Sequence, residues 1–160
     1  MSAARLPFAA MNRPREVAPP PALAAALEAL LGASIAQVRV IEHSWFVRLH
    51  GRAVATTRRR RIYLRGAAAA FFTSPWLMLH EYWHVTGQWE RGSLTVPRYL
   101  LECLKRGYWR NRFEVEARAF ADAHAASLGK LLALPPEADL QYAPRSRGLR
   151  ALGKRPPPSP

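Results

Sequence analysis

The chain has 160 residues, of which 49% are hydrophobic, 22% charged and 10% aromatic. This length is enough for one compact domain with a hydrophobic core, and two independent domains are not expected. Lysine and arginine number 24 against 11 aspartate and glutamate residues, which gives a net charge of +13. A single cysteine, Cys103, excludes an internal disulfide and a cysteine-rich zinc ribbon, so histidine and carboxylate groups would have to hold any metal.

The basic charge suits polyanionic partners such as nucleic acid, an anionic membrane or an acidic protein. However, 21 of the 24 basic residues are arginines, and alanine is abundant, a bias that a GC-rich genome imposes without selection for binding. Nucleic acid is therefore a partner that the composition permits but does not favour. No apolar run reaches the roughly 18 residues of a transmembrane span, and no secretory signal is recognisable, so a cytoplasmic protein is expected.

Helix and strand patterns fill the middle of the chain, and both ends lack them. Residues 1–21 are rich in proline, and residues 135–160 are rich in proline and arginine, so both segments are expected to be disordered tails. The intervening segment, residues 22–134, is expected to fold as the single domain.

The first half of this domain predicts a helix, a strand, a segment compatible with either structure, and a hairpin of two strands. These elements cover residues 22–31, 37–41, 44–50, 53–57 and 61–64. Gly32 is placed to end the helix, and Ile62 and Leu64 fall on one face of the hairpin. The four arginines at 58–61 belong at its turn or edge, where charge discourages aggregation.

The second half predicts three helices, each with a polar capping residue before it and a glycine at its end. The pairs of cap and glycine are Ser74 and Gly87, Thr95 and Gly107, and Asn111 and Gly129. An apolar stripe on the last helix comprises Phe113, Ala117, Phe120, His124 and Leu128. Because strands precede these helices, the sequence predicts an α+β fold, with a small sheet followed by helices.

The first of these three helices carries the motif HExxH, from His80 to His84. Two imidazoles four residues apart lie on one helical face, one turn apart, so both can reach one ion. Glu81 stands about 100° round the helix from His80, where it can reach a water beside the metal and act as a general base. A helix whose two histidines make only structural contacts is the alternative interpretation.

A catalytic zinc needs a third protein ligand and one open position. Glu90 follows His84 with the spacing of the metzincins, but every methionine precedes the end of that motif, so their Met-turn is absent. Glu114 is the favoured candidate for the third ligand, because it lies closer to the apolar stripe that faces the core. It stands about 60° from the centre of the stripe, whereas Glu116 stands about 100° away on the other side. Glu116 is the second choice as a ligand, and His124 is interpreted as a core histidine. Glu114 also suits a capping box with Asn111.

Two segments between Leu79 and Ala121, LHEYWHVTGQW and GYWRNRFEVEARAFA, carry a resemblance to a known family. They resemble compact metallopeptidase domains of the zincin-like, glutamate-zincin type, and are similar to the core domain of extracellular contractile injection systems. Those domains pair HExxH with an NPxExEA-like segment. The likeness extends over about residues 36–126 and implies a zincin-like fold with a small sheet before the active-site helix. It implies Zn²⁺ ligands His80, His84 and Glu114 and the catalytic base Glu81.

Two arginines depart from the pattern of that family. Arg112 stands where the pattern usually has proline, and Arg118 stands where related enzymes often have an aspartate that orients a histidine. Without that aspartate, the metal ligands are expected to have weaker support and the enzyme a lower catalytic efficiency.

The sequence therefore predicts a zinc-dependent metallopeptidase acting on a peptide or protein. A zinc-activated water would attack the peptide carbonyl, while Glu81 would take a proton from it and return that proton to the leaving amine. A strand from residues 61–64 is expected to form an edge that binds substrate. The oxyanion donor is left open among Tyr82, Tyr99 and Tyr108.

Two other functions fit the same residues less well. One is a non-catalytic, zinc-binding interaction module of the same fold with a basic surface. The other is a nucleic-acid binder in which HExxH is incidental. The second ranks last because the arginines are spread along the chain rather than confined to one helix with interleaved aromatic residues.

Overall fold

The computed structural model describes residues 13–51 and 53–133. Within that part, a four-stranded sheet lies beside several helices, which confirms the predicted α+β fold. The strands are β1 (Arg15–Val17), β2 (Arg39–Glu42), β3 (Ala55–Arg58) and β4 (Arg61–Leu64). The α-helices are α1 (Pro21–Leu31), α2 (Ala68–Phe72), α3 (Pro75–Trp83), α4 (Val96–Arg106) and α5 (Arg112–Leu131). Shorter helical segments are the 3₁₀ helices Trp45–His50 and Tyr108–Arg110 and the π-helix His84–Trp89.

The sheet has the order β1-β2-β4-β3. The hairpin of β3 and β4 is confirmed: the two strands pair antiparallel, and Ile62 and Leu64 are both buried. The arginine run lies at its turn as expected, and Arg59 adopts a left-handed conformation there with φ of 53°. Since β4 lies between β2 and β3, the expectation that residues 61–64 form an edge is wrong, and the edge strands of the described sheet are β1 and β3.

The strand β1 lies inside the segment that the sequence assigns to a disordered tail, so that prediction is wrong for Arg15–Val17. These residues pair antiparallel with β2, and Arg15 Nε donates a hydrogen bond to Glu42 Oε1 at 2.9 Å. The pairing depends on a partner strand far along the chain, which local composition does not reveal. Residues 1–12 and the expected C-terminal tail, 135–160, lie outside the described residues.

Helix α3 is the most enclosed helix of the fold. Its residues from Pro75 to Tyr82 are all buried, and it packs mainly against α5, with further contacts to α1, α2 and β3. The fully buried side chains of the shared core include Leu27, Val40, Ile62, Met78, Leu79, Tyr82 and Leu128. The HExxH motif is therefore held by the core of the protein and not by an exposed loop.

The helix boundaries follow the predicted capping residues closely. Gly32 ends α1 in the left-handed conformation, with φ of 62°. Thr95 Oγ1 accepts a hydrogen bond from Arg98 N, and Asn111 Oδ1 accepts one from Phe113 N at 3.0 Å. The ambiguous segment at 44–50 forms a 3₁₀ helix, the strand predicted at 37–41 lies at 39–42, and the last helix runs two residues beyond Gly129.

The helix that carries HExxH does not end at Gly87, contrary to the sequence prediction. The α-helix ends at Trp83, and the chain continues as a π-helix in which Glu90 N donates to Val85 O at 2.9 Å. A Cβ on Gly87 would lie 2.5 Å from the Trp83 ring, which itself stacks on Phe120 with centroids 4.1 Å apart. The glycine is therefore needed for the close approach of Trp83, and not as a helix stop.

No described helix combines the length and the apolar character of a segment that crosses a bilayer. The sequence prediction of no transmembrane span agrees with this for the described part of the chain.

Candidate metal centre

Three buried side chains, one each from α3, the π-helix and α5, converge on one point. His80 Nε2 and His84 Nε2 lie 3.2 Å apart. Glu114, from α5, places Oε2 3.4 Å from His80 Nε2 and Oε1 3.6 Å from His84 Nε2. The three residues are only 6%, 6% and 4% exposed. Among the residues that the structure describes, they form the one cluster of three with the geometry to hold a metal ion.

The donor atoms fit a tetrahedral zinc ion. Zinc lies about 2.0–2.1 Å from nitrogen and oxygen ligands, so two ligand atoms of a regular tetrahedron stand about 3.3 Å apart. The measured separations of 3.2, 3.4 and 3.6 Å lie close to this value. Glu114 Oε2 is buried without a hydrogen-bond donor among the described residues, although it faces His80 Nε2. Two histidines and one glutamate are also a known ligand set of catalytic zinc sites.

Gln88 fixes the orientation of His84, and sequence reasoning missed this residue. Its Nε2 donates to Phe113 O at 2.9 Å and to Glu116 Oε2 at 3.0 Å, so its Oε1 must be the atom that faces His84 Nδ1 at 2.8 Å. Because that oxygen can only accept, Nδ1 carries the hydrogen and Nε2 directs its lone pair into the cluster. The sequence signal for this role was a glutamine four residues after His84. The π-helix brings its side chain to the Nδ1 atom of the His84 ring.

Glu114 is held as a carboxylate by its neighbours. Tyr99 Oη donates to Glu114 Oε1 at 2.8 Å, and Arg118 Nη1 lies 3.9 Å from Oε2. Burial alone would raise the pKa of Glu114, but the rings of His80 and His84 and the Tyr99 hydroxyl lower it to about 2. Arg118, where the family resemblance implies an aspartate, lies within ion-pair distance of the candidate ligand carboxylate.

The capping-box alternative for Glu114 is wrong. The backbone amide of Asn111 donates to Tyr108 O at 3.2 Å, while the Glu114 carboxylate faces the cluster and accepts from Tyr99. The Asn111 side chain alone caps α5, by accepting from Phe113 N.

Glu81 lies beside the cluster and is 6% exposed. Its Oε2 accepts a hydrogen bond of 2.6 Å from Thr57 Oγ1 on the edge strand β3. Burial raises the pKa of Glu81, the nearby His84 and the Thr57 hydroxyl oppose this rise, and the Glu114 carboxylate adds to it. A carboxylate with a raised pKa is a stronger base than an exposed one, which suits a group that accepts and returns a proton.

The other candidates make different contacts. Glu90 forms an ion pair with Arg60 Nε at 2.9 Å, and Glu116 is engaged by Gln88 as described above. His124 is half-buried and not part of the core: its ring stacks on Phe120, and its Nδ1 lies 2.9 Å from Phe120 O. None of the three belongs to the cluster.

A cavity of about 740 Å³ opens onto the cluster and is lined mainly by apolar and aromatic groups. Its walls include Thr57, Glu81, Leu94, Leu100, Tyr108 and Trp109.

Of the three tyrosines that the sequence offers as oxyanion donors, Tyr82 is fully buried outside this lining and Tyr99 donates its hydroxyl hydrogen to Glu114. Burial and the nearby Glu114 carboxylate raise the pKa of Tyr108, which keeps its hydroxyl protonated.

Comparisons with protein-family models, with curated proteins and with solved structures returned no match. The function must therefore be inferred from the chemistry of the cluster and its cavity. The assignment of His80, His84 and Glu114 as metal ligands stays a prediction, as does the zincin-like resemblance.

Proposed function

We propose that this protein is a zinc-dependent peptidase. The observation that carries the proposal is the convergence of His80 Nε2, His84 Nε2 and the Glu114 carboxylate at 3.2–3.6 Å, with the Glu81 carboxylate beside them in one cavity. This combination supplies a tetrahedral ligand set with one position open, and a base next to it.

In the proposed reaction Glu81 moves the proton. A zinc ion, when bound, supplies the Lewis acidity that activates a water and polarises a peptide carbonyl. Glu81 accepts a proton from the attacking water and delivers it to the nitrogen of the departing amine, so that the peptide bond is hydrolysed. The Thr57 hydroxyl fixes one carboxylate oxygen of Glu81 at 2.6 Å and leaves the other to act.

The edge strand β3 and Tyr108 suit two further roles, the binding of an extended substrate and the stabilisation of the oxyanion. Thr56 and Thr57 of β3 line the cavity, so an extended peptide can add to this edge with its scissile bond near Glu81. Tyr108 lines the same cavity as a protonated hydroxyl, and we assign it as the donor to the developing oxyanion.

The test is the substitution Glu81→Gln, assayed with a degenerate peptide library read by mass spectrometry. We expect hydrolysis to fall by about 10²-fold to 10⁴-fold while bound zinc is retained, because glutamine keeps the shape of the side chain and removes the base. Glu90→Gln is the matched control and should cleave as the wild type does, since Glu90 pairs with Arg60 away from the cluster.

Full hydrolysis by the Glu81→Gln protein would contradict the proposed mechanism. A wild-type protein that binds zinc and cleaves no peptide would instead support the non-catalytic interaction module of the same fold.

A further inference from the structure

Helix α4 exposes an apolar face. None of the residues from Val96 to Arg106 is buried, and Leu100, Leu101 and Leu104 are 55%, 49% and 85% exposed. Single exposed apolar residues are common on proteins, but a contiguous group of them on one element marks an interaction surface. We call the side chains of Leu100, Leu101 and Leu104 the leucine face.

The leucine face is one side of an amphipathic helix. At about 100° per residue, the three leucines fall within an arc of about 100°. Around the helix, Lys105 lies about 40° beyond Leu101 and Arg98 about 60° beyond it. Basic side chains therefore border the apolar arc directly. This combination, apolar on one side and basic on the other, is characteristic of helices that lie in the interface of a bilayer.

The chain that follows α4 adds an exposed tryptophan and further positive charge. Trp109 is 68% exposed, and such a ring favours the headgroup level of a membrane. Residues 96–112 contain five basic side chains, Arg98, Lys105, Arg106, Arg110 and Arg112, against the single acid Glu102. The surface around the leucine face is therefore strongly cationic.

Exposed apolar groups also stand on a second helical segment that contributes to the cavity. Trp45 and Leu49 are 64% and 68% exposed on the 3₁₀ helix Trp45–His50. Phe46 and His50 of that helix line the same cavity as Leu100 and Trp109. Exposed apolar side chains thus lie on two helical segments that contribute to the cavity lining.

We propose that the leucine face, with Trp109, docks the protein on an anionic lipid surface. The leucines enter the boundary between headgroups and acyl chains, and the bordering lysine and arginines contact lipid phosphates. A second copy of the chain is disfavoured as the occupant because it would bring two cationic rims together. Nucleic acid offers phosphates for the rim but no apolar layer for the leucines. This inference does not depend on the proposed peptidase activity.

The experiment is flotation of the full chain with vesicles of phosphatidylcholine alone or mixed with phosphatidylglycerol. Leu104→Ser is compared with Leu131→Ser, a matched change at a leucine 63% exposed near the end of α5. Lys105→Gln is compared with Lys130→Gln, since both lysines are exposed. Neither Leu104 nor Lys105 lines the cavity, and circular dichroism verifies that each variant folds.

We expect the wild type to float with the mixed vesicles and not with phosphatidylcholine alone. Leu104→Ser should weaken partitioning about tenfold or more, and Lys105→Gln about fivefold, while both controls bind as the wild type does. Three results would overturn the proposal: no flotation with the mixed vesicles, Leu104→Ser binding as tightly as Leu131→Ser, or a solution dimer that Leu104→Ser dissociates.

Discussion

At the scale of single residues, Gln88 connects the candidate metal centre to the helix that supplies its third ligand. Its carbonyl oxygen accepts from His84 Nδ1, and its amide nitrogen donates to Phe113 O on α5, next to Glu114. One buried side chain thus orients a histidine and ties α5 to the π-helix. The family resemblance implies an aspartate at the position of Arg118 for the orienting role, and in this structure the contact to His84 Nδ1 comes from Gln88.

We expect Gln88→Leu to lower zinc affinity by about 10-fold to 100-fold, because the His84 ring loses the acceptor that fixes its tautomer and orientation. The affinity is measured by competition with a chromophoric zinc chelator, on protein shown by circular dichroism to be folded. Gln37→Leu, which removes an exposed glutamine bonded to Arg60, is the control and should bind zinc as the wild type does. Equal affinities for the two variants would show that Gln88 does not support the metal.

At the scale of elements, the π-helix His84–Trp89 supplies one candidate ligand, His84, and the glutamine that orients it. We expect Gly87→Ala to destabilise the protein by about 1–3 kcal/mol, because the new Cβ would lie 2.5 Å from the Trp83 ring and force that ring to move. Gly129→Ala in α5 is the matched control. Its Cβ would meet Pro75 Cγ at an ordinary 3.7 Å, so the change should be neutral or stabilise by up to about 1 kcal/mol.

Urea denaturation gives both free energies of unfolding. If Gly87→Ala were as stable as the wild type, then the close approach of Trp83 would not constrain this turn.

Features set by local pattern were predicted well from the sequence. The hairpin, the caps at Thr95 and Asn111, and the glycine end of α1 depend on residues within a few positions of one another. The placement of His80 and His84 on one helical face follows from their spacing in the same way.

Features set by contacts between distant segments could not be read from local pattern. The strand β1 depends on its pairing with β2, and the π-turn depends on Trp83 packing between Gly87 and Phe120. The same holds for Thr57, which reaches Glu81 from the edge strand. A regular α-helix was the simplest interpretation of the pattern around Gly87, and only tertiary packing decides against it.

At the scale of the whole molecule, a buried carboxylate joins the sheet to the helices. Glu42 on β2 is 6% exposed, and it accepts hydrogen bonds from Arg15 Nε at 2.9 Å and from Ala68 N at 2.8 Å. Burial alone would raise the pKa of Glu42, but the two hydrogen bonds and the Arg15 charge outweigh it and lower the pKa below its usual 4.5. The ionised form therefore stabilises the fold.

The lowered pKa gives the contribution of Glu42 a definite pH dependence. Above a pH of about 4.5 the ionised Glu42 makes its full contribution to the free energy of unfolding. This contribution is lost as the pH falls through the lowered pKa of the folded state, because the unfolded chain binds the proton first. We expect Glu42→Gln to cost about 1–3 kcal/mol at neutral pH and less on acidification. Urea denaturation from about pH 7 to about pH 3 measures this. A stability difference that stays constant over that range would contradict the expectation.

The most direct measurement is the metal content of protein purified without a chelator or histidine tag, by elemental analysis before and after zinc is added. We predict about one zinc per chain, lost in His80→Ala, in His84→Ala and in Glu114→Ala. His124→Ala should keep its zinc, because that ring packs on Phe120 outside the cluster. A wild-type protein that takes up no zinc even when zinc is supplied would contradict the metal centre and, with it, the proposed peptidase.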